Sequence, residues 1–177
     1  MKNNRIAFKV ALCGVFSGLA LVFLLLTTVI PVGTYALPIV SGILLVAVAV
    51  EFNTKWAFAA YFAVSVLSFL LSGDKEAVLY FIMFFGFYPI VKKYFERIKS
   101  KVLSMILKYL LFNACMIGEF FIGVYLLGIP AESFSIFGVN LPLVFLALGN
   151  IAFYLYDKCV TVMIGYYITN LRKRLIR

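Results

Sequence analysis

Apolar residues in this chain come in long runs that polar residues interrupt only briefly, and the runs have the length of helices rather than strands. A helix rising 1.5 Å per residue needs about 20 residues to cross the hydrocarbon core of a bilayer. The runs predict six spans, over residues 7–30, 35–50, 56–71, 77–91, 102–128 and 141–170. Pro31 and Gly33 break the first, Pro38 is tolerated in the first turn of the second, and Pro89 closes the fourth. In the linker 51–55, Glu51 and Lys55 are i,i+4 partners if the helix continues. Trp56 opens the third span as an interfacial anchor. Ser72–Glu76 is the clearest polar break, and 129–139, with Pro130 and Gly138, is a loop. The expected fold is all-α: a polytopic membrane bundle of six transmembrane helices, forming one domain over residues 1–177. Spans two, three and four fall short of a full crossing, which leaves an indentation where a ligand can sit.

Composition sharpens this picture. The chain is 65% hydrophobic and 13% charged, against about 45–50% and about 25% in soluble domains. That leaves no room for a soluble catalytic domain. Histidine is absent, which removes the commonest general base and the usual ligand of catalytic zinc. Cys13, Cys115 and Cys159 stand far apart without C-x-x-C spacing and read as free buried thiols. H-E-x-x-H, G-x-S-x-G and Walker A signatures are missing, so the expectation is no enzyme, no metal and no cofactor. A membrane enzyme acting on a lipid or isoprenoid needs clustered acids for a metal, and Glu119 with Asp157 is too thin a cluster.

The net charge is +9, from 16 Lys/Arg against 7 Asp/Glu. These basic residues gather at the ends of the apolar runs, so they point to the positive-inside rule and not to a nucleic-acid partner. With six spans, thirteen of them share one side with both termini, including Lys92, Lys93, Arg97, Lys99 and Lys101 in a loop. Only Lys75 lies opposite, while Lys108 and Lys158 fall within spans. The asymmetry predicts a multi-pass protein of the cell membrane with both termini cytoplasmic.

Three features carry candidate chemistry. Ala7, Ala11, Gly14 and Gly18 recur at i, i+4, i+7, i+11, a small-residue face suited to close helix packing, either within the protein or against a partner. Glu119 sits within span five, roughly 13 Å from its outer end at Gly128. A carboxylate at that depth costs about 2.5–3.5 kcal/mol or more and needs a partner or a task. On span six, Asn150, Tyr154, Asp157 and Thr161 form a polar face. Asn150 lies roughly 15 Å from Asn140, near the depth of Glu119, so the two predict a shared cavity, with Glu119, Asn150 and Tyr154 as the substrate-binding residues. Asn113, about 120° around the helix from Glu119, belongs elsewhere. Asp157 pairs with Lys108 or Lys158. The 19 Phe and 11 Tyr supply lipid-facing and packing surface, and stacking walls for a planar ligand.

In length, span number, basic cytoplasmic termini and the Ala7-x-x-x-Ala11 motif extended by Gly14-x-x-x-Gly18, the chain resembles the substrate-binding S components of energy-coupling-factor (ECF) transporters. The resemblance implies a vitamin-like micronutrient as ligand, bound near the outer face under loops that include the one after the first helix. It also implies a transmembrane coupling protein that docks on the first helix, driven by ATPase subunits in trans. The missing histidine departs from the nickel and cobalt members of that family. A second reading is a cell-envelope scaffold resembling the rod-shape-determining MreD proteins, which need neither ligand nor ATPase.

Overall fold

A computed structural model describes residues 2–30, 33–128, 130 and 142–172. Among these residues the protein is all helical and contains no strand. Six helices follow one another: α1 (Lys2–Leu26), α2 (Ala36–Glu51), α3 (Thr54–Leu71), α4 (Lys75–Glu96), α5 (Lys101–Leu126) and α6 (Pro142–Tyr166). A π turn, Tyr167–Leu171, prolongs α6. Three of them, α3, α4 and α5, with 18, 22 and 26 residues, are long and apolar enough to cross a membrane. The apolar stretch Val10–Leu26 of α1 and the whole of α2 are shorter. Large apolar side chains point outward along the bundle, Phe62, Leu70, Tyr125 and Ile151 among them. A water-facing surface has no use for so many, whereas lipid solvates them.

Several element boundaries differ from the sequence expectation. Helix α1 ends at Leu26, ahead of Pro31: the Thr27 hydroxyl turns back to the Leu24 carbonyl at 2.7 Å, and a turn through Val29 follows. Glu51 closes α2, so no helix joins it to Lys55. Glu51 instead meets Arg172 at 3.1 Å, a charge contact without hydrogen-bond geometry. Asp74 caps α4 by accepting from the Ala77 N–H at 3.0 Å, and Ser100 caps α5 by accepting from Leu103 at 3.3 Å. The loop 129–139 lies outside the described residues apart from Pro130.

The largest correction concerns span four. Pro89 does not end it, and α4 is not short. The helix passes through a π turn, Phe81–Phe85, in which the Gly86 N–H reaches the Phe81 carbonyl, and then runs on to Glu96. Lacking an N–H, Pro89 leaves the Phe85 carbonyl without its i+4 donor. The Tyr156 hydroxyl of α6 donates to it at 3.4 Å, and the Tyr61 hydroxyl of α3 donates to the neighbouring Ile82 carbonyl at 2.7 Å. These two carbonyls thus each find a tyrosine from an adjacent helix, as backbone in an apolar interior requires.

The core forms two groups. Ala20, Leu24, Leu45, Val64 and Phe81 join α1 to α4, and the Ser41 hydroxyl lies 3.0 Å from the Ala20 carbonyl across the α1–α2 contact. Phe84, Tyr88, Phe112, Phe153 and Tyr156 join α4, α5 and α6, with Phe112 stacked on Phe153 at 4.8 Å. Between the groups, α2 touches the kink itself. A Cβ on Gly42 would lie 2.0 Å from the Phe85 oxygen, so only glycine permits this approach.

Polar contacts gather at the two ends of the bundle. At one end, Thr28 after α1 accepts from the Gly73 N–H at 3.0 Å, and the Thr34 hydroxyl donates to Asp74 at 3.1 Å. At the other, Glu51 of α2 meets Arg172, and the Lys93 ammonium of α4 donates to Thr54 of α3 at 2.6 Å. Neighbouring helices therefore alternate in direction.

Candidate functional site at the Glu119 end of the bundle

Glu119 is 1% exposed, and neither carboxylate oxygen has a hydrogen-bond partner among the described residues. Both features follow from its place on α5, whose buried stripe runs through Ser104, Lys108, Phe112, Cys115 and Glu119 at spacings of three and four. The last member of that stripe follows Gly118, where an added Cβ would lie 3.3 Å from the Met83 side chain in the π turn of α4. Glu76, Tyr80 and Tyr35 lie within electrostatic reach of it.

Glu76 and Tyr80 share one face of α4 because they are four residues apart. Tyr35 comes from the residue preceding α2. The Tyr35 and Tyr80 rings are 4.9 Å apart and tilted by 52°. Their hydroxyls reach the same oxygen of Glu76 at 3.5 and 3.4 Å. Good hydroxyl–oxygen bonds are about 2.7–2.8 Å, so both contacts are weak ones that a better donor would replace. The staple from Thr28 and Thr34 to Gly73 and Asp74 braces the α4 start against α1 and α2, and so fixes where Glu76 stands. Lys75, the cation nearest in sequence, turns away: its ammonium donates to the Phe69 carbonyl at 2.5 Å and lies over the Phe69 ring.

Asn150 and Tyr154 do not join this group among the described contacts. Asn150 exchanges two hydrogen bonds with Asn113, at 3.0 and 2.9 Å. Level with Asn113, it sits about 9 Å along α5 from Glu119, since six residues separate the two, and the expected common depth is not found. The face that α6 buries centres on Phe153, Tyr156 and Val160, so Tyr154 lies to its side. Tyr154 is 41% exposed, with the Lys158 ammonium 5.5 Å from its ring centre. Thr161 is exposed and donates to the Asp157 carbonyl of its own helix at 3.0 Å.

Asp157 pairs with Lys108, at 3.1 and 3.2 Å, and not with Lys158. It also takes the Lys92 ammonium and the Tyr88 hydroxyl. Lys92 does not lie in the basic loop that the sequence predicts. Instead it is fully buried in the last turns of α4, with Glu96 at 3.4 Å completing the network. These polar groups are satisfied by one another, which makes them structural ties between α4, α5 and α6.

The small-residue face of α1 stands clear of the bundle. Ala7, Ala11, Gly14 and Gly18 are exposed, and a Cβ on either glycine would meet nothing within 4 Å. Ala20, on the buried side, is about 200° around the helix from Gly18. This face therefore packs against none of the described residues. Residues 173–177 and the Lys2 and Arg5 side chains, counted among the basic termini, lie outside the described structure.

The sequence does not mark Glu76, Tyr80 or Tyr35 as site residues, nor Lys92 as buried. The first two carry one usable signal, a carboxylate and a tyrosine at i,i+4 at the start of an apolar run. No group of His, Cys, Asp and Glu among the described residues has the arrangement to hold a metal ion. No family model, curated protein or solved structure matches the chain.

Proposed function

We propose that this chain is a six-span protein of the cell membrane with both termini cytoplasmic, and that it binds a vitamin-like small molecule as the membrane subunit of an ATP-driven uptake transporter. The ligand sits at the outer end of the bundle beside Glu119. The observation that carries the reading is Glu119 itself, buried with neither oxygen bonded among the described residues, whereas the buried ions Lys92 and Lys108 are paired with Asp157. An apolar bundle keeps such a group only for a task. A scaffold has none for it.

The purified protein is expected to carry a small molecule that mass spectrometry identifies. Calorimetry with that molecule should show Glu119→Gln weakening binding roughly ten- to a hundredfold, since a charge-assisted hydrogen bond contributes about 1.5–3 kcal/mol. Unchanged affinity in a folded variant makes Glu119 structural and favours the scaffold reading. For the topology, in a cysteine-free background, an impermeant thiol reagent applied to intact cells should label Lys75→Cys and spare Lys99→Cys. The reverse pattern excludes six spans with both termini inside.

The open face of α1 is where a transmembrane coupling protein and its ATPases dock. Because nothing fills the space above Gly18, Gly18→Leu should leave the melting temperature of the isolated protein unchanged or slightly higher, leucine being a better helix former by about 1 kcal/mol. It should abolish co-purification with the coupling protein, because the added side chain holds a facing helix away. Retained co-purification removes this face from the interface.

A further inference from the structure

We infer that the ligand at the Glu119 end of the bundle is an organic cation with a planar ring, such as a protonated amine or amidine on an aromatic scaffold. This deepens the proposed function and rests on reading that end as the ligand site. Two carboxylates, Glu76 of α4 and Glu119 of α5, lie within electrostatic reach of each other. No described cation balances them, since Lys75 is committed to Phe69 on the other side. An uncompensated pair of acids in an apolar surround attracts positive charge strongly. Neither Glu119 oxygen has a hydrogen-bond partner among the described residues, and the tyrosine contacts on Glu76 are long enough to yield to an N–H donor.

Aromatic walls select the kind of cation. Tyr35 and Tyr80 pack 4.9 Å apart beside Glu76, and a tyrosine ring face attracts an organic cation and stacks on a planar one. The described acids lack the clustering a metal ion needs. Tyr35 is 43% exposed while Tyr80 and Glu119 are buried, so Tyr35 is the member of the group that a ligand meets first.

Three planar probes of one shape separate the possibilities: benzamidine (cationic at neutral pH), benzamide (neutral) and benzoate (anionic). Each is titrated against the full chain in phosphatidylcholine nanodiscs by ligand-observed saturation-transfer NMR, with empty discs subtracted. Benzamidine is expected to bind at least tenfold more tightly than the other two. Glu119→Gln should erase that preference, and Glu76→Gln should reduce it, which gives a second reading if the first variant fails to fold. Equal or tighter binding of benzamide or benzoate overturns the cation inference and leaves the site as a ligand site. Binding of none of the three to folded protein overturns both. A cation preference that survives in both folded variants overturns the assignment to these carboxylates.

Discussion

Asp157→Ala should destabilise the protein by about 3–5 kcal/mol, the cost of leaving a buried charge without its partner. The Asp157 carboxylate accepts from Lys108 at 3.1 Å and also from Lys92 and Tyr88. Lys92 is fully buried, and Lys108 is 8% exposed. With the carboxylate gone, the two ammonium groups keep the half-exposed Glu96, at 3.4 and 3.7 Å, and Lys92 keeps the backbone oxygen of residue 157 at 2.6 Å. That is too little to offset two desolvated cations. Unfolding by a graded denaturing detergent reads the loss. The double variant Lys92→Met with Asp157→Leu should lose less than Asp157→Ala alone, because it removes the charge together with its partner. A single variant within 1 kcal/mol of the parent would show that the network does not hold α4, α5 and α6 together.

Gly42→Ala should cost about 3 kcal/mol, at the upper end of the range for overpacking. The added methyl would lie 2.0 Å from the Phe85 oxygen and 2.8 Å from its carbon. Both obstacles are backbone, so no side chain can swing aside. Helix α2 must move off the kink, and the Ser41 contact to Ala20 one residue earlier is strained by the same motion. Gly14→Ala supplies the control: with nothing within 4 Å, it should be neutral or stabilising by up to about 1 kcal/mol. Equal melting temperatures for the two variants would mean that α2 and α4 are not in close contact in the folded protein.

Much of the architecture was legible along the chain. Apolar run length marks helices, and the helical positions of α2, α3 and α5 follow the runs to within a few residues. The Asp74 and Ser100 caps stand where polar breaks give way to apolar runs. Proline was the misleading signal. An isolated helix breaks at Pro89, but two tyrosines from other helices satisfy the carbonyls freed around the kink, and α4 continues. Lys92 was misplaced for a related reason: a basic residue near a run's end ordinarily lies in water, and only Asp157 on another helix makes its burial tolerable.

The candidate site divides the same way. Glu119 was identifiable from one helix alone, because an acid inside a long apolar run is costly wherever its neighbours are. Its companions were not. Periodicity fixes which residues share a face of one helix, at i+3 and i+4. It says nothing of how far that helix is rotated or shifted along its neighbours. Packing sets those two quantities, as at Gly42, where α2 comes against the backbone of the α4 kink. The packed bundle puts Asn150 opposite Asn113 and brings Glu119 within electrostatic reach of Glu76 and Tyr80. Residue order thus carries the helices and their apolar faces, while the pairing of polar groups between helices depends on packing that no single segment contains.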